Sequence, residues 1–482
     1  MQKGGHIIKT TFNPFLPSWE YIPDGEPYVF GERLYLYGSH DKFGGDQFCM
    51  NDYVCWSTPV DDLSAWRYEG VIYRKNQDPR NPEGISRMYA PDVQPGLDGR
   101  YYLYYAFDDT GITSVAVCDS PAGEYTYHGT IQYSDGSVVG EKQGDMYHFD
   151  PGIFIDDDER IYLYSGFGIG DGAEPYFGGR KANGLYWMEL DKDMITVISG
   201  PTLLIKGNMM DGKKNHGFFE AASIRKINNV YFLVYSSTLS HELCYMTSDR
   251  PDRGFTFRGT IVSNADVGYA GRMQEHQLNH TGNTHGGLVQ IKGQWYIFYH
   301  RQTNRTHFSR QACAEPVIIE GDGTIKQIEV TSCGLNGGPL PGIGLYPAYI
   351  ACNLFTNDHT GYDEKDYEND KRPYLTQDGG DRESGDDQYI TEWRQDGVIG
   401  FKYFTLDGTK RISITVKGNG EGHIDLLLDM NESPLVTIPV KAEMDYQAFA
   451  GCFPPQQKVT ALYLRFNGTG SLCLKEFILT KG

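Results

Sequence analysis

The chain has 482 residues, enough for two to four ordinary domains or for fewer large all-β domains. Hydrophobic residues make up 39% and charged residues 22%, a composition typical of a folded globular protein, and 58 Gly and 23 Pro indicate many turns. The net charge of -20 repels phosphate backbones and anionic lipid headgroups, so we expect neither nucleic acid nor membrane as a partner.

The N-terminal stretch contains no apolar segment of the kind found in a signal peptide. The nine cysteines are scattered without a Cys-x-x-Cys pair, so we expect buried, reduced thiols rather than a zinc or redox site. These features predict a cytoplasmic protein, or a secreted one if a leader has been removed.

A Tyr-rich strand pattern recurs five times along the first two thirds of the chain. The copies begin at Arg33, Arg100, Arg160, Asn229 and Gln294, and each follows a polar turn of hairpin type. Each interval can hold about four short strands, and no long amphipathic helical pattern lies between the copies. The repeat predicts an all-β fold with a five-bladed β-propeller over residues 1–333. The alternative is a β-sandwich in which this spacing arises by chance.

A second domain is predicted after the repeats. Residues 334–345 are rich in Gly and Pro and indicate a linker. Residues 346–482 contain short strand-like segments whose spacing suits a β-sandwich of the jelly-roll type. The predicted strands are Ile399–Leu406, Arg411–Val416, His423–Leu428, Leu435–Pro439, Ala461–Phe466 and Leu472–Leu479.

One ionisable residue precedes each repeat start by eight to ten positions. The five residues are Asp24, Asp92, Asp150, Glu220 and His285. This offset lies in the strand expected to be innermost in each blade, so these side chains are predicted to converge at the propeller axis. Buried like charges repel one another, which makes such a set more typical of chemistry than of packing. Paired acids suit glycosidic cleavage, in which one carboxylic acid protonates the leaving oxygen and another carboxylate activates water or attacks carbon.

The motifs around these acids resemble those of glycoside hydrolase family 43. They occur in the same order on the same repeat, as Tyr89-Ala90-Pro91-Asp92, Phe149-Asp150-Pro151 and Phe219-Glu220-Ala221-Ala222. The resemblance covers about residues 10–333. It implies hydrolysis with inversion at the anomeric carbon, with Asp24 as the general base and Glu220 as the general acid. It also implies that Asp150 orients Glu220 and raises its pKa.

The same resemblance suggests further site residues. Tyr89, Asp92 and Phe219 are expected to contact substrate, with Asp92 as a structural or secondary member of the site. His285 matches an axial histidine that approaches calcium or a water cluster in some relatives. We expect that the reaction requires no cofactor, and Ca²⁺ bound at the axis near His285 is an open alternative. Glu26 is a rival for the base, because Asp24 is followed by Gly25-Glu26-Pro27 where the family commonly has Asp-Pro.

The C-terminal domain resembles carbohydrate-binding module family 6. The loop Trp that often stacks on sugar in such modules corresponds to Tyr446, with Phe449 nearby. Glycan binding and packing against the propeller are both expected roles for this domain.

We therefore expect an exo-acting glycosidase that releases α-L-arabinofuranose or β-D-xylose from plant oligosaccharides. The alternatives are the same fold acting on β-1,3-galactan or arabinan, a propeller phosphorylase, and a non-catalytic glycan-binding propeller. An oligosaccharide or polysaccharide is the expected partner, and the oligomeric state is open.

Overall fold

The computed structural model describes residues 7–9, 11–212, 215–358, 370–383 and 388–482. Five separate sheets follow one another along the chain, and a ten-stranded sheet comes after them. This arrangement confirms the predicted all-β fold with a five-bladed propeller and a C-terminal β-sandwich. No helix in the described part of the chain is long or apolar enough to cross a membrane.

The five propeller sheets are called blades 1 to 5. Blade 1 consists of β1 (Ile7–Lys9), β2 (Glu26–Phe30), β3 (Arg33–Tyr37), β4 (Tyr53–Pro59) and β5 (Ala65–Tyr73). Blade 2 consists of β6 (Met88–Pro95), β7 (Tyr101–Phe107), β8 (Thr113–Cys118) and β9 (Thr126–Thr130). Blade 3 consists of β10 (Gln132–Tyr133), β11 (Gly152–Ile155), β12 (Ile161–Gly168), β13 (Asn183–Leu190) and β14 (Thr196–Lys206). Blade 4 consists of β15 (Phe218–Ile227), β16 (Val230–Ser237), β17 (Glu242–Ser248) and β18 (Thr256–Ser263). Blade 5 consists of β19 (Leu288–Ile291), β20 (Gln294–Gln302) and β21 (Arg310–Val317).

The remaining elements are the sandwich strands and short 3-10 helices. The sandwich consists of β22 (Leu340–Pro341), β23 (Gly344–Pro347), β24 (Asn353–Thr356), β25 (Tyr374–Thr376), β26 (Tyr389–Trp393), β27 (Gly397–Gly418), β28 (Glu421–Leu427), β29 (Val436–Lys441), β30 (Gln447–Thr469) and β31 (Leu472–Thr480). The 3-10 helices are Lys75–Gln77, Glu174–Phe177, Met209–Asp211, Tyr269–Gly271, Gln274–His276, Gly334–Asn336 and Ala348–Ile350.

The repeated Tyr-rich segments form the strand next to one end of each sheet, as β3, β7, β12, β16 and β20. Successive side chains of a strand point to opposite faces, so each of these strands packs on both neighbouring blades. In β3, Leu34 and Leu36 join the core shared with blade 5, while Tyr35 and Tyr37 join the core shared with blade 2. The Tyr repeat therefore reflects the packing of each of these strands between two neighbouring blades.

Strands β2, β6, β11, β15 and β19 each lie next to the Tyr-rich strand of their blade, at the end of the sheet. The short backbone bridge between Gly25 and Gly286 lies just before β2 of blade 1 and β19 of blade 5, and so links the first and last blades. The side chains just before or within these five strands are thereby brought around one axis.

In the sandwich, two long strands extend through most of the sheet. β27 pairs with β30 and β31, and residues from both long strands enter one hydrophobic core with Trp393 and Phe477. The predicted strands 399–406 and 411–416 are one continuous strand, because pairing continues through Asp407 and Thr409. Strands β22 and β23, which overlap the predicted linker 334–345, pair with β27 and β31 of this sheet.

The sandwich and the propeller share buried ion pairs. Lys402 of β27 donates to Glu329 at 2.7 Å and to Asp266 at 3.3 Å, and the Lys402 side chain is buried. Arg382 Nη1 donates to both carboxylate oxygens of Glu20 at 2.7 Å. Buried charges require such partners, so these contacts hold the two parts of the chain together.

Glu20 depends on this contact for its charge. Burial alone would raise the pKa of Glu20, but Arg382, His40 and Trp56 outweigh burial and lower the pKa from 4.5 to about 2. Its ionised form therefore stabilises the fold above pH 4.5, and this contribution is lost as the pH falls toward 2.

Glu20→Gln is expected to remove this pH-dependent part of the stability. The difference in unfolding free energy between wild type and variant should decrease by about 2 kcal/mol between pH 6 and pH 3. Urea titrations at the two pH values measure this difference. The same substitution at Glu83, an exposed residue, is the control and should show no such change. An equal destabilisation by Glu20→Gln at both pH values would contradict the assignment.

Candidate active site

Three of the five in-phase residues line one pocket of ≈ 390 Å³. They are Asp24, Asp150 and Glu220, whose blades are 1, 3 and 4. The pocket wall also takes residues from blades 2 and 5, namely Tyr89, Asn283, His307 and Arg310. All five blades therefore contribute to one enclosure around the three carboxyl groups.

Aromatic side chains form a continuous wall on one side of this pocket. The ring centroids of Phe48 and Tyr89 are 6.5 Å apart, and those of Tyr89 and Phe149 are 5.7 Å apart. Phe167 continues the series, at 4.6 Å from Phe149 and 4.9 Å from Phe219. Such a wall offers apolar faces beside the carboxyl groups, the combination that the faces and hydroxyl groups of a sugar ring require.

Asp24 is held in its ionised form by Arg310. Arg310 Nη1 donates to Asp24 Oδ1 at 3.1 Å. Burial alone would raise the pKa of Asp24, but Arg310, together with smaller contributions that include His285 and Ser39, outweighs burial and lowers it below its usual value. His300 lies 3.4 Å from the same oxygen, but burial lowers the pKa of His300 to about 3, so this ring is neutral. The neutral ring accepts the backbone N–H of Asp24 at Nδ1 and donates from Nε2 to the Asn283 carbonyl.

Glu220 has the opposite environment. Burial raises the pKa of Glu220 well above its usual range, and the carboxylates of Asp150 and Asp24 raise it further. Glu220 therefore retains a proton at a pH at which Asp24 is ionised. One pocket thus contains a proton donor and a proton acceptor, as acid–base catalysis requires.

Asp150, the third carboxyl group of the pocket, lies beside His285. Its Oδ2 atom is 3.6 Å from His285 Nδ1. Burial raises the pKa of Asp150, and the contact with His285 opposes this effect. Burial lowers the pKa of His285, but Asp150 and Glu26 outweigh burial and raise it well above its usual value. His285 is therefore an imidazolium at neutral pH.

The backbone at these carboxylates is in an uncommon conformation. Asp24 and Asp150 have φ angles of 56° and 44°, in the left-handed region that Asp tolerates better than most residues. Ala221, directly after Glu220, has a φ of 68°, which a glycine would adopt without steric cost. Backbone strain of this kind concentrates at functional sites.

Glu26 is buried outside the pocket wall. Its Oε2 atom accepts hydrogen bonds from Arg225 at 2.7 Å and Ser223 at 3.1 Å, and its Oε1 atom lies 3.7 Å from His285. A carboxylate held in this way has no direct access to a water in the pocket, so the geometry favours Asp24 over Glu26 as the base.

Asp92 requires a correction, because the structure does not support its predicted contact with substrate. Its side chain is buried and accepts hydrogen bonds from the Tyr28 hydroxyl at 2.7 Å and the backbone N–H of Ile153 at 2.8 Å. Tyr28 belongs to blade 1 and Ile153 to blade 3, so Asp92 joins the blades on either side of its own. Tyr89 and Phe219, in contrast, do line the pocket.

Several pocket residues were not found from the sequence. Phe149 directly precedes Asp150, as Phe219 precedes Glu220, so an aromatic residue before each acid was an available signal. No such pattern marks Arg310 and Phe48, because neither residue stands eight to ten positions before the start of a Tyr-rich repeat. They come to the pocket through the start of β21 and the loop between β3 and β4.

A separate group of possible metal ligands, His216, Glu242 and Cys244, lies within 4.8 Å of one another in blade 4. Glu242 already accepts hydrogen bonds from His216 at 2.6 Å, Ser237 at 2.6 Å and Thr260 at 2.8 Å. This group is a hydrogen-bonded cluster, and it does not contribute to the pocket wall.

Comparison with known proteins identifies similar sequences. The family model "Glycosyl hydrolases family 43" matches residues 13–325. A xylosidase/arabinosidase of Thermoclostridium stercorarium is 48% identical over 479 residues, covering 98% of this chain and 99% of the relative. The similarity to this relative therefore includes the C-terminal sandwich.

Two solved structures are also similar. A family 43 β-xylosidase/α-arabinofuranosidase from a compost microbial metagenome, in complex with xylotriose in a calcium-free form, has 25% identity and a TM-score of 0.51, covering 67% of this chain and 98% of that chain. A family 43 arabinoxylan arabinofuranohydrolase from Bacillus subtilis, in complex with cellotetraose, has 19% identity and a TM-score of 0.51 and covers 97% of both chains. At that identity the second similarity shows the fold alone.

Proposed function

Since the chain belongs to glycosyl hydrolases family 43, we propose that it is an inverting exo-glycosidase that releases terminal α-L-arabinofuranose or β-D-xylose from plant cell-wall oligosaccharides. The observation that carries this proposal is the opposite shift of two carboxyl pKa values in one pocket. Asp24 is ionised beside Arg310, while Glu220 keeps its proton beside Asp150.

The reaction uses each group in the state that its surroundings favour. Glu220 donates its proton to the glycosidic oxygen as the bond from that oxygen to the anomeric carbon breaks. Asp24 accepts a proton from a water molecule whose oxygen attacks the anomeric carbon from the opposite face. The sugar leaves with inverted configuration, the remaining oligosaccharide leaves as an alcohol, and the two carboxyl groups exchange protons with solvent before the next cycle.

Asp150 is proposed to act through Glu220. Its negative charge is the second largest cause, after burial, of the raised pKa of Glu220. His285 lies 3.6 Å from Asp150 Oδ2 and helps to fix the position of this charge. Asp150 is therefore a positioning residue that keeps the acid protonated.

The shape of the pocket supports exo action. The residues that line it come from all five blades and bring the carboxyl groups into one pocket of ≈ 390 Å³. The relative that covers 98% of this chain is a xylosidase/arabinosidase, which also supports release of a terminal sugar. Tyr89 and Phe219 are proposed to contact the terminal sugar, because both belong to the aromatic wall beside the carboxyl groups.

The proposed activity is tested with a panel of para-nitrophenyl glycosides. The α-L-arabinofuranoside and the β-D-xyloside should give values of kcat/KM at least about tenfold above that of the β-D-galactoside, because an extra CH₂OH group and an axial 4-hydroxyl must fit the same pocket. Preference for the galactoside would contradict the pentose assignment, and no release from any substrate would contradict glycosidase activity.

Glu220→Gln tests the acid. Cleavage of xylo-oligosaccharides should fall by about 10²- to 10⁴-fold, because Gln cannot protonate a poor leaving group. Aryl glycosides with good leaving groups need little protonation and should lose much less. In wild type, kcat/KM should fall as the pH rises through the raised pKa of Glu220, and this alkaline limb should disappear in the variant. Equal losses on both substrate types would remove Glu220 from this role.

Asp24→Asn and Glu26→Gln together test the base. Asp24→Asn should abolish turnover on every substrate, since water must be deprotonated whatever the leaving group. Glu26→Gln removes a charge that is paired with Arg225 behind the pocket and should retain the larger part of kcat on aryl glycosides. The reverse result, with Asp24→Asn active and Glu26→Gln inactive, would assign the base to Glu26.

The donor set at His285 does not fit a calcium ion. Calcium prefers six to eight oxygen ligands, and a protonated imidazole has no lone pair to offer. The side chains within ion-pair distance of His285 are Asp150 and Glu26, and Glu26 is also paired with Arg225. We propose that the imidazolium itself is the cation at this position, and that acid and base are supplied by Glu220 and Asp24.

Cytoplasmic location stays a prediction. All nine cysteines belong to the described residues and are free, six of them buried, which supports a reducing compartment.

The oligosaccharide partner follows from the family, and glycan binding by the sandwich also stays a prediction. Lys417 and Lys475 lie over the Tyr446 ring, at 4.7 and 5.6 Å from its centroid, and Phe449 packs against the sandwich core. These contacts favour structural roles for both aromatic residues.

A further inference from the structure

The loop between β3 and β4 carries part of the pocket wall. It spans residues 38–52 and presents Phe48 and Cys49 to the pocket. Phe48 contacts Phe308 at 4.7 Å between ring centroids, and the Arg310 guanidinium lies 4.7 Å from the Phe48 centroid. The position of this loop therefore sets the position of Phe48, the first ring of the aromatic wall.

One carboxylate from the C-terminal part of the chain holds both ends of this loop. Asp381 Oδ1 accepts the backbone N–H of Phe43 at 2.7 Å. Asp381 Oδ2 accepts the side-chain amide of Asn51 at 3.0 Å, and this amide also donates to the Asp41 carbonyl at 3.0 Å. Residues 43 and 51 flank Phe48, so a single side chain fixes the span that carries it.

Asp381 is itself held in place by the next residue. Arg382 binds both oxygens of the buried Glu20, and its guanidinium lies 4.9 Å from the Tyr68 ring centroid. On the other side, the Tyr21 hydroxyl donates to Gln377 at 2.6 Å, and the Tyr21 ring stacks on Phe43 at 5.5 Å. The segment 377–383 is thus attached to the propeller on both sides of Asp381.

Within the propeller, the same loop is connected to the proposed base. Asp41 accepts two hydrogen bonds from the Arg310 side chain, at 2.8 and 2.9 Å, and a third from the Cys49 backbone N–H at 3.0 Å. Arg310 in turn donates to Asp24. These contacts are formed by residues of blades 1 and 5 and do not include Asp381. Loss of Asp381 should therefore leave the charge state of Asp24 unchanged.

We propose that Asp381 is a positioning residue for substrate binding, through which the C-terminal domain sets the Phe48 side of the sugar pocket. The inference rests on the proposed glycosidase function. It assigns to the sandwich a part in the active site that is independent of any glycan bound to the sandwich itself. Because Asp381 acts on the wall and not on the acid or base, its loss should affect KM and leave kcat largely unchanged.

The test measures kcat and KM of the full-length Asp381→Ala variant on the preferred para-nitrophenyl pentoside. KM should rise about tenfold, the change expected when one charge-assisted hydrogen-bonded contact is lost, with kcat within about twofold of wild type. Asp378→Ala is the matched control. Asp378 is in the same segment and accepts the Tyr389 hydroxyl of the sandwich at 2.8 Å, so its loss should leave KM unchanged. An unchanged KM in Asp381→Ala, or an equal rise in Asp378→Ala, would overturn the proposal.

A double-mutant cycle with Phe48→Ala separates positioning from general destabilisation. If Asp381 acts through Phe48, Asp381→Ala should raise KM by less than about twofold in the Phe48→Ala background. Full additivity of the two KM effects would overturn the proposal even if Asp381→Ala is less stable. Failure of the proposed function gives a different result, because wild type and all variants would then be inactive on both pentosides.

Discussion

Charge buried at the propeller axis is the constraint on which the rest of the structure depends. Five carboxyl groups, those of Asp24, Glu26, Asp92, Asp150 and Glu220, are each at most 8% exposed. The cations that compensate them come from other blades, as in the pairs of Arg225 with Glu26 and of Arg310 with Asp24. Loss of one partner from a buried pair costs about 3–5 kcal/mol, so the same contacts that balance the charge also hold neighbouring blades in register.

The distribution of these cations gives chemically similar carboxyl groups different pKa values. Arg310 lies against Asp24 and lowers its pKa, whereas Glu220 faces the negative charge of Asp150 and its pKa is raised. His285 shields Asp150 from Glu26 along the axis. Two carboxyl groups in one pocket thus acquire opposite proton affinities, because Arg310 stabilises the charge of Asp24 while burial and the Asp150 carboxylate disfavour a charge on Glu220. This difference is the condition for acid–base catalysis near neutral pH.

The C-terminal sandwich is joined to this site by contacts that a resemblance to a sugar-binding module does not suggest. Two lysines lie over the Tyr446 ring, and Lys402, Asp381 and Arg382 of the domain make polar contacts with the propeller. Asp381 reaches the loop that carries Phe48, so the pocket is completed by residues more than 300 positions apart in the chain. The sandwich is therefore best understood as a part of the catalytic unit.

The sequence by itself determined the five blades, because strand periodicity and interblade packing are local and repeat with every Tyr-rich strand. It also placed Asp24, Asp150 and Glu220 together, since residues in phase on equivalent strands must meet at the axis. The sequence did not reveal the first half of β30, where exposed polar residues and Pro454-Pro455 hide the alternation of apolar and polar side chains. It also predicted substrate contact for Asp92, which has a similar offset from its repeat to that of the other acids but forms hydrogen bonds to the two neighbouring blades. Only the tertiary structure decided which charges pair, because Arg310, Arg225 and Asp381 lie outside the repeat and their partners are distant in the chain. Protonation states depend on those pairs, so the assignment of acid and base is a property of the fold.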